Sequence, residues 1–211
     1  MSRTSTVDLL ALHGVRLLGF AESPAVAARF ALDPAEVDEL LLDHQAYGWV
    51  THSQFAGSRG WSLTERGKAE DERRLAAELD AVAGRDAVVA VHQRFLPLNG
   101  RLQAACTAWQ LRATSQDPLA PNDHSDPEWD ARVLDELGAL SDELGGLVRS
   151  LVQVLGRFDG YDDRFAAALR KAREGEHLFV DGRVDSCHRI WFELHEDLLA
   201  TLGIERGADG A

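Results

Sequence analysis

The chain has 211 residues, 45% of them hydrophobic, and its 22 Lys and Arg residues stand against 35 Asp and Glu residues, a formal net charge of -13. That length fits one large domain or two small ones, and that charge disfavours non-specific binding to nucleic acid or to an anionic membrane. No stretch reaches the roughly 18 apolar residues of a membrane span, and the first residues lack the apolar core of a secretion signal, so we expect a cytoplasmic protein.

The first third of the chain predicts three helices. An apolar stripe from Val7 to Phe20 predicts the first. Ser23 as N-cap before Pro24 predicts a short second helix. The pair Asp33–Pro34 repeats this start signal and predicts a third helix that ends near Gly48. We expect four of its apolar side chains to face inward: Val37, Leu40, Leu41 and Leu42. Two short helices joined by a tight turn are the core of a helix-turn-helix.

The next segment changes to a strand pattern. Residues 49–55 are β-prone, residues 57–60 form a turn cluster, and residues 61–63 indicate a short return strand. Thr64 is then placed to cap a long helix from about Glu65 to Val82. Helix, helix-turn-helix, hairpin and helix is the order of a winged helix, so we predict such a domain over residues 1–84.

The remainder, residues 85–211, predicts a C-terminal α-helical bundle, and the fold class is therefore mainly α. We expect a kink or break at Pro97, because proline lacks the amide hydrogen and clashes with the preceding turn. Further helices are predicted over 127–158 and 161–174. Residues 177–184 indicate a loop, and Asp185 or Ser186 caps a last helix that stops at Gly203. Residues 205–211 indicate a frayed tail.

Three stretches carry a family resemblance: 33–41, 47–50 and 61–67, the last reading Trp-Ser-Leu-Thr-Glu-Arg-Gly. This part of the chain resembles MarR-type winged helix-turn-helix regulators. The rest is similar to a helical extension found on some regulators of this general type, matched at 109–110, 122–126 and 191–199. The resemblance implies a transcriptional regulator that binds double-stranded DNA. We expect it to act as a homodimer, to respond to a small-molecule effector and to have no enzymatic activity.

The third helix departs from that pattern in its charge. It carries five carboxylates and no Lys or Arg, whereas a helix in the major groove is expected to bring basic or amide side chains to phosphates and base edges. The carboxylates are Asp33, Glu36, Asp38, Glu39 and Asp43. The residues that remain as candidates for DNA contacts are Arg29, His44, Gln45, His52, Arg59 and Arg66. The alternative is an acidic winged helix that docks onto a protein and does not bind DNA.

Aromatic and histidine residues in the helical part suggest a ligand pocket. Apolar walls with a few convergent polar groups are typical of helical sensor domains, although aromatics at helical spacing also serve as plain core. The candidates are Trp109, His124, Trp129, His188, Trp191 and His195. A metal sensor using His124, His188 and His195 is a further alternative, but the spacing within the last helix is not the i,i+4 pair of a helical metal site. We expect no metal and no cofactor.

The last helix offers one sequence that superficially suggests catalysis. Cys187 precedes His188, but neighbouring side chains on a helix diverge by about 100°, so the thiol and the imidazole do not face each other. We expect Cys106 and Cys187 to be reduced, packed thiols. Glu193 and Asp197 are expected to point away from the core.

The expected function is regulation, in which an effector in the bundle changes the spacing of two winged helices and their fit to two half-sites.

Overall fold

The computed structural model of the chain describes residues 4–55 and 57–205. It is mainly helical, with one two-stranded antiparallel sheet, which confirms the mainly α prediction. The described residues divide into two compact units. The first contains residues 4–55, 57–88, 153–157 and 196–205, and the second contains residues 89–152 and 158–195. Across the described ranges, no helix is both long enough and apolar enough to cross a membrane.

The first unit begins with three helices, a hairpin and a fourth helix. These elements are α1 (Val7–Leu18), α2 (Ser23–Arg29), α3 (Pro34–Ala46), β1 (Val50–Phe55), β2 (Ser58–Leu63) and α4 (Glu65–Ala81). Their order is the one that the sequence predicts. The hairpin register pairs Val50 with Leu63 and Phe55 with Ser58. The predicted turn at 57–60 is therefore wrong in extent, because residues 58–60 already belong to β2.

Local caps explain where most of these helices begin. The Asp33 carboxylate accepts hydrogen bonds from the first amides of α3, and Thr64 Oγ1 accepts from Gly67 N at 3.0 Å in α4. Both predicted caps are confirmed. The prediction for Ser23 is wrong: Glu22 is the N-cap of α2. The Ser23 hydroxyl instead donates to Asp38 and accepts from the indole of Trp61, and so joins α2 to α3 and β2.

The core of the first unit lies between its helices and the hairpin. Its fully or nearly fully buried members include Leu12, Val15, Val26, Val37, Leu41, Val50 and Trp61. Leu40 packs partly against this cluster. The prediction that Leu42 faces inward is wrong, because its side chain is 52% exposed. Residues 41 and 42 are separated by about 100° around the helix, so Leu41 takes the buried position.

Gly67 fixes how closely the start of α4 approaches the hairpin. A Cβ added at Gly67 would lie 1.9 Å from the carbonyl oxygen of Trp49, which also accepts the Thr64 amide at 2.9 Å. We predict that Gly67→Ala lowers the free energy of unfolding by about 2 kcal/mol, because backbone has to move.

Urea denaturation of the variant measures this loss. The matched control is Gly100→Ala, since an added Cβ meets nothing within 4 Å there. Alanine favours a helix interior over glycine, so this control should be neutral or slightly stabilising. Equal stability of both variants would contradict the close packing at Gly67.

The rest of the chain forms α5 (Arg85–Gln110), α6 (Pro127–Val152), a 3-10 turn (Gly156–Phe158), α7 (Tyr161–Arg173), α8 (Leu178–Asp181) and α9 (Cys187–Leu202). The second unit takes most of these helices, and its core includes Phe95, Leu137, Leu144, Phe165 and Trp191. Ser186 Oγ accepts from the amide of Arg189 at 3.3 Å, which confirms the predicted cap of α9.

Two predictions about these helices are wrong, and of the kink or break expected at Pro97 the break is excluded. The helix α5 is not broken at Pro97 but continues through it. The helix α6 ends at Val152 rather than near residue 158, and residues 177–184 contain the short helix α8 rather than only a loop. The predicted frayed tail begins at residue 205, and its residues 206–211 lie outside the described residues.

Candidate functional site

The solvent face of α3 is acidic. Glu36, Asp38, Glu39 and Asp43 are all exposed, and the helix contains no Lys or Arg. His44 is fully buried, and its Nε2 lies 2.9 Å from Asp8 Oδ1. The predicted base contact by His44 therefore does not fit the structure, because the ring is turned into the unit rather than towards solvent.

The hairpin next to α3 has the opposite character. Residues 49–64 contain no Asp or Glu, and Arg59 is their one basic residue. The side chains of Thr51, His52, Ser53, Gln54, Ser58 and Arg59 are exposed. Arg59 Nε lies 3.2 Å from Glu22 Oε1, but the arginine side chain is 66% exposed, and such surface pairs contribute little and rearrange easily.

An open groove of about 490 Å³ runs between the hairpin and the starts of α2 and α3. His52 and Arg59 line it from the hairpin, and Glu22 and Asp38 line it from the helices. The structure thus brings together two of the predicted DNA-contacting residues. The remaining candidates differ in exposure. Gln45 and Arg66 are exposed, whereas Arg29 is half-buried and its guanidinium lies 4.7 Å from the centre of the Phe30 ring.

The first unit also contains a buried network of charges that the sequence did not reveal. His13 is fully buried, with Nδ1 3.3 Å from Asp71 Oδ2 and Nε2 3.2 Å from Asp197 Oδ1. Burial by itself lowers the pKa of His13, but the charges of Asp71 and then Asp197 outweigh it, so the pKa is raised above its ordinary value of 6.5. The two carboxylates that flank the imidazole therefore favour its protonated form.

Arg157 completes this network from the segment at 153–157. Its guanidinium donates to Glu78 at 3.2 Å, to Asp197, and to the hydroxyl of Thr201 at 2.6 Å. Burial raises the pKa of Asp197, but Arg157 and His13 outweigh this and hold it below its ordinary value. The prediction that Asp197 and Glu193 point away is wrong, since they are 0% and 1% exposed.

The predicted pocket residues of the second unit lie in different surroundings. Trp191 and His195 are buried, and both pack on the ring of Phe95, at centroid distances of 4.9 and 5.2 Å. His188 is 46% exposed and its Nδ1 lies 2.6 Å from Asp181 Oδ1. These residues serve the packed core or a surface ion pair rather than one pocket wall.

Trp109 and His124 do come together, with ring centroids 4.6 Å apart. The exposed ring of His177, which the sequence analysis missed, lies 4.2 Å from His124 and 5.3 Å from Trp109. Trp129 donates its indole N–H to the carbonyl of Ala108, the residue before Trp109, at 2.7 Å. Little in the sequence indicated His177, because a single histidine in a segment without helical periodicity has no second candidate residue at a regular spacing from it.

No group of three or more His, Cys, Asp and Glu side chains within residues 4–55 and 57–205 is arranged to hold a metal ion. The metal sensor hypothesis with His124, His188 and His195 therefore has no support. Cys106 and Cys187 are both buried and free. Burial raises the pKa of each thiol to about 12, with a smaller contribution from Asp181 for Cys106 and from Cys106 for Cys187. Such thiols are poor nucleophiles at neutral pH.

Comparison with protein families, with curated proteins and with solved structures finds no match to this chain.

Proposed function

We propose that the first unit is the winged helix-turn-helix module of a transcriptional regulator and that it binds double-stranded DNA mainly through its hairpin. The order α1, α2, α3, β1, β2, α4 supports the winged helix, as does the short connection between α2 and α3. The hairpin is the wing of such a module. In this proposal α3 lies near the duplex but does not enter the major groove deeply.

The observation that carries this proposal is the separation of charge between α3 and the wing. Phosphates repel the carboxylates of α3, whereas the wing offers exposed hydroxyl, amide and imidazole groups and the guanidinium of Arg59. An arginine at a wing can enter the minor groove. Arg66 and Lys68, which are exposed just after the wing, add two cations to that of Arg59, although the exposed Glu65 precedes them.

The second unit is proposed to serve dimerisation and the sensing of a small molecule. Symmetric dimers allow one module to contact each of two half-sites. The region of Trp109, His124 and Trp129 supports an effector site better than that of Trp191, because His124 and Trp129 are only half-buried. The effector and the dimer remain predictions.

Binding to short duplexes selected from a random library, measured by fluorescence anisotropy, tests the proposal. We expect binding at about 50 mM salt. As salt is added, the logarithm of the association constant should fall linearly with the logarithm of the salt concentration. Arg59→Ala combined with Arg66→Ala should reduce that slope by about 2, one for each lost phosphate contact. The matched control is Arg101→Ala combined with Arg173→Ala in the second unit, where both arginines are also substantially exposed.

A second candidate function is docking onto a basic protein without any contact to DNA. The observation that favours it is that α3 and the residue after it expose Leu42 at 52% and Tyr47 at 57% beside the carboxylates. Triple replacement of Glu36, Glu39 and Asp43 by their amides separates the two functions. If the module binds DNA, the triple variant binds duplexes more tightly than the native chain, because phosphate repulsion is removed. If the native chain and this variant both fail to bind, the DNA proposal is wrong.

A further inference from the structure

We propose that the second unit binds a phosphate group between the guanidinium groups of Arg94 and Arg149. Arg94 lies on α5 and Arg149 lies in the last turn of α6, and both residues are exposed. Their guanidinium groups converge on Gly146 of α6. A Cβ added at Gly146 would lie 3.9 Å from Arg149 Nη2 and 4.0 Å from Arg94 Nη2. One small anion at this point therefore reaches both cations.

Two adjacent glycines leave space for the anion. A long side chain on a helix extends over the turn that precedes it, and the side chain of Arg149 accordingly covers Gly145 and Gly146. A Cβ added at Gly145 would lie 3.3 Å from Arg149 Nη1. Because neither glycine has a side chain, α6 presents only backbone beneath the guanidinium groups at these two positions.

Neither arginine has a carboxylate partner. In the part of the chain that the structure describes, the guanidinium groups of Arg94 and Arg149 make no ion pair and no hydrogen bond. Asp162 of α7 approaches from the side, with Oδ2 3.9 Å from the Cβ position at Gly145, but it does not pair with Arg149. Two cations that lie close together without a counter-charge repel each other, and a bound anion replaces that repulsion with attraction.

The same two helices show how an arginine is neutralised where a carboxylate is available. Arg101 lies two turns beyond Arg94 on the same side of α5, and its Nε lies 2.7 Å from Glu136 Oε1 of α6. Arg94 instead meets α6 at Gly146, which has no side chain. The chain has 35 Asp and Glu residues against 22 Lys and Arg residues, so two cations without a partner are not explained by a lack of carboxylates. A ligand supplies the missing counter-charge.

The charge of this arginine pair favours a phosphate group over a single carboxylate. A phosphate monoester carries about −1.5 to −2 charges at pH 7 and offers three acceptor oxygens, so it neutralises two guanidinium groups and bonds to both. A monocarboxylate supplies one charge and two oxygens. The site goes beyond the proposed function, because Arg94 lies about 20 Å from Trp109 along α5 and binding requires no DNA.

Titration of the nitrogen-15-labelled full chain with inorganic phosphate, in a phosphate-free buffer of low salt and without DNA, tests the proposal. The Nε–Hε signals that are missing from Arg94→Gln and from Arg149→Gln identify the two arginines. In the native chain we expect both signals to shift with one dissociation constant. In each single variant the remaining signal should need about tenfold more phosphate, because one charge-assisted contact is lost.

The matched control is Arg170→Gln, which removes an exposed arginine of α7 and should leave the dissociation constant unchanged. Methyl phosphate distinguishes the sources: binding at least as tight as that of inorganic phosphate indicates a phosphorylated molecule, and weaker binding indicates the free ion. Equal shifts of the Arg170 signal and of the two site signals would show an adventitious ion only and would overturn the proposal. Tighter binding of succinate than of either phosphate would also overturn it.

A second pair of variants tests the convergence of the two cations without any ligand. Gly146→Asp places a carboxylate between the guanidinium groups, whereas Gly146→Asn places a neutral side chain of the same size there. We expect Gly146→Asp to unfold at a higher temperature than Gly146→Asn at low salt, and to lose phosphate binding with both arginines still present. Equal unfolding temperatures of the two variants would show that the guanidinium groups do not converge at Gly146.

Discussion

Arg157→Met is expected to lower the free energy of unfolding by about 3–5 kcal/mol. The side chain of Arg157 is fully buried, and it is the cation that Glu78 and Asp197 share. Methionine fills much of the same volume, but it removes the positive charge that neutralises two buried carboxylates. Removing one partner of a buried ion pair is far more destabilising than the net contribution of the intact pair, because the remaining charge is stranded away from water.

Urea denaturation followed by circular dichroism measures this loss. The matched control is Arg101→Met. Arg101 Nε lies 2.7 Å from Glu136 Oε1, as Arg157 Nε lies 3.2 Å from Glu78 Oε2, but the Arg101 pair lies at the surface, so we expect no measurable change. The double variant Arg157→Met/Asp197→Asn should lose less than the sum of the two single variants, because the carboxylate that is left stranded in Arg157→Met is absent from it. Additive losses would show that Arg157 and Asp197 do not interact.

His13→Gln should lower the free energy of unfolding by about 3 kcal/mol near pH 6, and by less at higher pH. The pKa of His13 is raised in the folded state, so its contribution to stability is fully present below 6.5 and is lost as the pH rises through the folded-state value. The pKa of Asp197 is lowered, so its contribution is present above 3.8 and is lost as the pH falls through its folded-state value. The network therefore contributes most to the free energy of unfolding between pH 3.8 and pH 6.5.

Unfolding curves of the native chain and of His13→Gln over a series of pH values test this dependence. The native chain should lose stability as the pH rises above neutrality, and the curve of the variant should be flatter in that range. Arg157 Nη1 lies 3.5 Å from His13 Nε2, and its charge opposes protonation of the ring. If stability were constant from pH 6 to 9 in both proteins, His13 would not be the cation that the two carboxylates hold.

The sequence predicted those elements of the fold that local chemistry determines. Asp33 and Thr64 begin helices because their side chains bond amides two or three residues away, and this signal is contained in a few neighbouring residues. The break expected at Pro97 does not occur. Phe95 and Leu102 on either side are buried, and this packing keeps α5 continuous although one amide hydrogen is missing.

The candidate sites were predictable only in part, because their partners are distant in sequence. Asp197 was expected at the surface, where a helical carboxylate usually lies. Its burial depends on His13 and Arg157, and no local pattern reports those pairings. His124 was identified from its polar surroundings, but His177 has no such signal. The acidic face of α3 was visible directly, because helical spacing alone determines which side chains lie together.

The buried charges of the first unit also determine whether its N-terminal part can be excised. A fragment that stops at residue 84 would retain Asp71 and Glu78 but would lack Arg157, and His13 would lose the carboxylate of Asp197. Electroneutrality of the interior is thus supplied by pieces of chain that a domain boundary drawn from sequence would discard. A shortened protein meant to keep this fold would therefore have to carry both later stretches, or have these positions rebuilt with apolar side chains.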